Sequence, residues 1–223
     1  MKALIFDFDG LLMDTETTLL ESWRHAWRQH GLELDPAGFF ADHGGDMTAH
    51  HHGLLAAAVG PSYDQAASQA ARTAYRNELH RTLNLAPGIL DWWARAEELG
   101  LRLAVASSSP ESWVRGHLDR VGVLESIEVT ACGDEVAAHK PDPAVYHLAL
   151  TRLGVSAAEA VAFEDTPHGV AAAQAAGLFC VAVPNAYLAA GRFPHADLLL
   201  PSATAMTLDE ILRKSGRDDE AGM

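Results

Sequence analysis

The chain has 223 residues, and its 30 acidic against 16 basic side chains leave a formal charge of −14. That sign opposes attraction to a phosphate backbone or to anionic lipid, so no nucleic acid and no membrane is expected among its partners. With 48% hydrophobic and 21% charged residues, the composition is that of a globule with room for one core and a smaller satellite domain, and it excludes a disordered or collagen-like chain.

Ala3 to Phe8 is a short apolar run closed by acids and Gly10, the pattern of a buried strand that ends in a turn. The charge at Asp7 comes too early for a secretory leader, and no later apolar run approaches membrane-spanning length, which points to a cytoplasmic protein. From about Thr15 to Leu83 the reading changes. Leu20, Trp23 and Trp27 lie on one helical stripe and Ala67, Ala71, Tyr75, Leu79 and Leu83 on another, with no strand candidate between them.

Alternation of strand and helix follows. Leu101 to Ala106, Ile127 to Ala131, Ala160 to Phe163, Phe179 to Val183 and Asp197 to Leu200 are short apolar strand candidates. A helix through Ile89, Leu90, Trp93, Ala96 and Leu99 stops at Gly100, and Ser109-Pro110 opens another that Gly122 closes. Asp142-Pro143 opens a helix that runs to Gly154, while Ser156 with Glu159 and Thr207 with Glu210 have capping-box spacing. Cys132 and Cys180 sit in apolar runs, as buried thiols of a reducing compartment and not as a disulfide or zinc framework.

Strands separated by helices imply a parallel sheet. The expected fold is therefore α/β, a Rossmann-like open parallel sheet core formed by residues 1–14 and 84–223, with an all-helical cap domain, residues 15–83, inserted after the first strand. Such an insert leaves the core near the carboxyl end of the first strand, where open α/β sheets bind ligands, and that suits a lid.

Asp7-Phe8-Asp9-Gly10 sets two carboxylates two residues apart at a strand end, on one face if the extended geometry persists. Like charges so close call for a cation or a retained proton. Taken alone, such a pair serves equally well as a turn cap. Three more segments give it context. Asp7 to Thr15, Val105-Ala106-Ser107-Ser108-Ser109, Lys140-Pro141-Asp142-Pro143 and Phe163-Glu164-Asp165-Thr166 resemble, in order, the four motifs of the haloacid dehalogenase-like phosphatase superfamily. The helical insert is similar to the C1-type cap of the subgroup that contains β-phosphoglucomutase and the small sugar-phosphate phosphatases.

The resemblance implies a Mg²⁺-dependent phosphatase. In it Asp7 attacks phosphorus to form an aspartyl-phosphate, and Asp9 acts as acid on the leaving alkoxide and then as base on water. It further implies a metal set of Asp7, the backbone carbonyl of Asp9 and Asp165, with Glu164 as an outer-shell or alternative ligand; hard oxygens of this kind suit Mg²⁺. Ser107, aided by the Ser108 N–H, would bind phosphoryl oxygens, and Lys140 would neutralise charge shared by phosphate and Asp7. The substrate would be a small phosphorylated metabolite, with sugar phosphates favoured, and the protein a monomer or weak homodimer. Leu19 stands where phosphoglucomutase-like members place a histidine, and Gly44 to Thr48 carry no Arg or Lys to hold a second phosphate. Hydrolysis is thus preferred to a β-phosphoglucomutase-type isomerisation, with dehalogenation or a catalytically silent phosphate- or metal-binding module as more distant readings.

Within the insert, His50-His51-His52 read as a solvated helix start, because consecutive residues face different sides of a helix. Arg72 and Arg76 read as a solvated face or an anion clamp. His43 to Asp46 read as a flexible turn that could touch a leaving group or simply connect helices. Asp14-Thr15 and Leu83 to Gly88 read as hinges.

Overall fold

The structure is a computed structural model, and it describes residues 1–36, 39, 47–187, 192–193 and 195–216. The chain divides into two compact units, residues 1–13 with 84–223 and residues 14–83.

The larger unit is a six-stranded sheet of β1 (Ala3–Phe6), β2 (Arg102–Ala106), β3 (Val129–Ala131), β4 (Ala160–Glu164), β5 (Phe179–Ala182) and β6 (Leu198–Leu199). All five pairings are parallel and the order is β3-β2-β1-β4-β5-β6, as expected of an α/β chain whose strands are separated by helices. The strand order reverses between β1 and β4, so the crossovers diverge there and leave a crevice beyond the carboxyl ends. Phe6 lies level with both Val105 and Phe163. The ends of β1, β2 and β4 therefore finish side by side.

Helices α4 (Ile89–Glu98), α5 (Glu111–Arg120), α6 (Ala144–Leu153), α7 (Pro167–Ala175) and α8 (Leu208–Lys214) complete this unit. One packed core joins the small residues of the strands, among them Ala3, Ala104 and Ala162, to Tyr146, Leu153 and Val170 of α6 and α7. Elsewhere Phe6 stacks on Phe163 at 4.6 Å, Trp92 of α4 lies 4.9 Å from Phe163, and Trp92 Nε1 donates to the Met206 carbonyl at 2.9 Å. Both cysteines are buried and free. Among the described residues no helix is long and apolar enough to cross a membrane.

Element boundaries depart from the sequence reading where a turn competes with the ladder. Asp7 N still bonds the Phe163 carbonyl at 2.9 Å, but Leu12 and Met13 N–H groups both turn back to the Phe8 carbonyl, and β1 ends at Phe6. Gly10 makes that reversal possible at φ +85°. Helix α5 starts one residue later than expected, with Pro110 and not Ser109 in the capping position. Its first N–H, from Glu111, is taken by Asp134 Oδ1 at 3.0 Å, which releases Ser109 for other duty. The capping boxes at Ser156/Glu159 and Thr207/Glu210 are present.

The smaller unit holds α1 (Thr15–Arg28), α2 (Thr48–Val59) and α3 (Gln65–Thr82). Asp14 caps α1 and Asp64 caps α3, each through a 3.0 Å bond to an N–H three residues on. Two expectations fail here. The buried row of α3 is Ser68, Arg72 and His80, not the apolar stripe, and Ala67 is exposed. Polar pairs explain this: Thr18 and His80 share a 2.8 Å bond, and the Arg72 guanidinium lies 4.4 Å over the Trp23 ring while donating to Gln69 Oε1 at 3.0 Å.

The histidine run is likewise not a solvated start. Only His50 is exposed, whereas His51 and His52 pack on Trp23 at 5.1 and 4.8 Å. His52 bonds Tyr63 and Gln69 through its two ring nitrogens, and burial lowers the pKa of His51. The turn at 43–46 lies outside the described residues.

Phe163 is fully buried between Phe6 and Trp92 on a central strand. Phe163→Ala is expected to lower unfolding stability by about 3–5 kcal/mol, read as a reduced urea midpoint.

Candidate active site

Four chain segments meet at the carboxyl edge of the sheet. Asp7 follows β1, Ser107 follows β2, Glu164 ends β4 with Asp165 next, and Lys140 precedes α6. Asp7, Ser107, Glu164 and Asp165 are all buried. An ammonium brought into such a place must be paired, because its hydration is lost. Lys140 Nζ is paired three times over, to Asp7 Oδ1 at 2.5 Å, to Glu164 Oε1 at 2.6 Å and to the Ala106 carbonyl at 2.8 Å. Its side chain is only 6% exposed.

The charges do not balance. Asp7, Glu164 and Asp165 each offer a carboxylate oxygen within 4.8 Å of the others, so three acids crowd against Lys140. Burial pushes the Asp7 carboxyl up to about 8, the pull of Lys140 opposes this, and the Glu164 charge adds to the rise. Burial alone would lower the Lys140 ammonium, yet Asp7 and Glu164 outweigh it and hold the amine well above the ordinary lysine value. Lys140 therefore stays charged, and excess negative charge remains on the carboxyl side. A set of hard oxygens with surplus negative charge fits a magnesium-like cation and offers zinc neither sulfur nor nitrogen.

Asp9 does not join this cluster through its side chain. Its Oδ2 accepts from Ser109 Oγ at 2.6 Å and its Oδ1 from Trp113 Nε1 at 3.1 Å, both near the start of α5. Asp7 and Asp9 thus serve different neighbours, because the chain leaves the extended conformation after β1 and they no longer share a strand face. Ser107 Oγ accepts from Ser109 N at 3.0 Å, and Ser108 is exposed beside it.

Four residues of the site escape a reading of the sequence. Tyr146 donates its hydroxyl to Glu164 Oε1, and burial, reinforced by the Glu164 charge, holds that phenol well above its ordinary pKa. Within the apolar stripe of α6 it reads as core. Asn185 Nδ2 donates to Asp165 Oδ2 at 3.0 Å from the loop after β5, where only its strand-end position hints at the contact. Ser109 reads as a cap, and Trp113 as a helix aromatic.

A family model described as haloacid dehalogenase-like hydrolase matches residues 4–183. The YhcW protein of Bacillus subtilis (strain 168) is 36% identical over 213 residues, covering 95% of this chain and 96% of its own. The fructose-1-phosphate phosphatase YqaB of Escherichia coli (strain K12) is 28% identical over 184 residues, covering 81% of this chain and 95% of its own. Among solved structures, CbbY from Rhodobacter sphaeroides in complex with phosphate superposes with a TM-score of 0.69 at 30% identity, covering 91% of this chain and 95% of its own.

Because Asp7 moves from 3.8 to about 8 on folding, the metal-free native state keeps a proton that the unfolded chain gives up, and stability falls as pH rises between those values. The melting temperature of metal-free protein minus that of Asp7→Asn is expected to decrease between about pH 5 and pH 8, the asparagine variant having no such proton to lose. Thermal scans across that range check it.

Proposed function

This chain belongs to the haloacid dehalogenase-like hydrolase family, and on that premise we propose that it is a phosphomonoesterase of small phosphorylated metabolites that works through an aspartyl-phosphate. The observation that carries the reading is the buried meeting of Asp7 with Lys140, Glu164 and Asp165 at the ends of β1 and β4. In-line phosphoryl transfer needs a nucleophile, fixed cationic charge and an acid for the leaving oxygen, roles for which Asp7, Lys140 and Asp9 are the candidates.

An Asp7 carboxylate oxygen attacks phosphorus as the bond to the ester oxygen breaks, and Asp9 delivers its proton to that oxygen. Asp9 then takes a proton from water, whose oxygen attacks the phosphorus of the aspartyl-phosphate and releases Asp7 and inorganic phosphate. To deliver a proton to the leaving oxygen, Asp9 must turn from Ser109 and Trp113, since both donate to its carboxylate oxygens. Ser107 Oγ and the Ser108 N–H hold phosphoryl oxygens, and Lys140 neutralises charge shared with Asp7. Asp7, Asp165 and the Asp9 carbonyl, with Glu164 beside them, would hold Mg²⁺, which would supply the positive charge that the three acids lack and polarise the phosphoryl group.

The helical unit, 14–83, is the cap domain of this reading and selects the leaving group. Support for a sugar phosphate comes from the fructose-1-phosphate activity in the name of the Escherichia coli relative. Free buried thiols suit the reducing cytoplasm. Leu19, where a mutase-like chain would carry histidine, argues for release of phosphate over its return to the sugar.

Wild-type protein with Mg²⁺ is expected to release inorganic phosphate from p-nitrophenyl phosphate and from some members of a sugar-phosphate panel. Asp7→Asn should lose turnover by at least about three orders of magnitude while keeping a cooperative melt. Substantial turnover by that variant would reject the nucleophile, and conversion of a hexose 1-phosphate to a 6-phosphate would favour the isomerase.

A further inference from the structure

Glu164 is 1% exposed, and its carboxylate is enclosed on three sides. Oε1 accepts from Lys140 at 2.6 Å and from the Tyr146 hydroxyl. Lys140 Nζ in turn lies 5.0 Å from the Tyr146 ring centroid, so amine, phenol and carboxylate form one packed group. The third side is Gly169, in the first turn of α7. A Cβ built on Gly169 would overlap Oε2, Cδ and Oε1 of Glu164.

Nothing in the backbone calls for glycine at this position. Gly169 is absent from the positive-φ glycines and lies inside a helix, where alanine is the better former. Nor can the backbone beneath the carboxylate retreat freely, because Gly169 N is tied to Thr166 Oγ1 at 3.1 Å. Gly116, inside α5, is the contrast: a Cβ there meets nothing within 4 Å. A side chain at 169 would strike the far end of a flexible glutamate, so it could be accommodated by pushing that carboxylate away, at the expense of the bonds to Lys140 and Tyr146.

We propose that Gly169 is a positioning residue. The missing side chain gives the Glu164 carboxylate a seat on the first turn of α7, from which, steadied by Tyr146, it holds Lys140 against Asp7 and keeps a third acid in the metal cluster. The proposal rests on the reading of this pocket as a Mg²⁺-dependent phosphatase site. It assigns Glu164 chiefly to its neighbours: one oxygen serves Lys140 and Tyr146 while the other lies against the glycine.

Titration calorimetry of Mg²⁺ into the full chain without substrate tests it, with melting temperatures alongside. Gly169→Ala is expected to weaken Mg²⁺ binding by about tenfold or more, the usual scale for loss of a group that orients a metal ligand, with a cooperative melt at a lowered temperature because Lys140 loses a buried partner. Gly116→Ala should leave affinity within about twofold. In a Glu164→Ala background the three atoms nearest the added methyl are gone, so Gly169→Ala should there change affinity by less than about twofold. Tyr146→Phe should shift affinity in the same direction by about threefold. Wild-type affinity in Gly169→Ala, a full loss that persists without Glu164, or no Mg²⁺ binding by the wild type would each overturn the proposal. If Gly169→Ala does not fold, Tyr146→Phe decides: weaker binding at an unchanged melting temperature supports it, and unchanged binding overturns it. Wild-type protein that binds Mg²⁺ but hydrolyses no phosphate ester rejects the phosphatase reading and leaves this cycle readable.

Discussion

A buried ammonium pinned between two buried carboxylates organises this molecule. Lys140 reaches Asp7 and Glu164 at 2.5 and 2.6 Å with a side chain almost wholly withdrawn from water. Such a charge is tolerated only where its donors are fully used, and breaking one partner would leave an uncompensated ion inside. Lys140 therefore ties the end of β1 to the end of β4 and to the segment that opens α6. Asp165 brings a third carboxylate oxygen within 4.8 Å of those of Asp7 and Glu164, so the acids outnumber the one ammonium, a donor set whose hard oxygens suit a divalent cation.

The sheet makes this arrangement possible before any side chain is considered. With β1 and β4 adjacent at the point where the order reverses, the two crossovers leave in opposite directions and the carboxyl ends stay uncovered by their own connections. Parallel register brings Phe6 level with Phe163, so the acids one and two residues further on are neighbours by construction. The stacked rings of Phe6 and Phe163 are the apolar floor of the same construction.

The helical unit follows another rule. Its α1 and α3 surfaces meet through Thr18, Ser22, Arg72 and His80 as well as through Trp23, so polar groups that an amphipathic reading assigns to solvent are satisfied against one another. His52 illustrates the consequence: both ring nitrogens are engaged, by Tyr63 and Gln69, and a residue that looks solvated in isolation is part of the packing.

Strand and helix alternation and most of the glycine and proline punctuation were legible from the chain alone, because each depends on contacts within a few residues. So was the placement of acids after apolar runs, which becomes proximity once the sheet is parallel. The four acid-, serine- and lysine-bearing segments stood out instead through their ordered resemblance to the family's motifs. Only the tertiary structure decided which groups face which. Asp9 turns to Ser109 and Trp113 because the chain reverses at Gly10. Tyr146 belongs to the site because α6, packed against β2 and β3, carries its phenol to Glu164 at the end of β4. Gly169 is glycine because a carboxylate from the preceding strand occupies the space of its side chain. Those facts depend on distances between segments far apart in sequence, and local pattern carries no information about them.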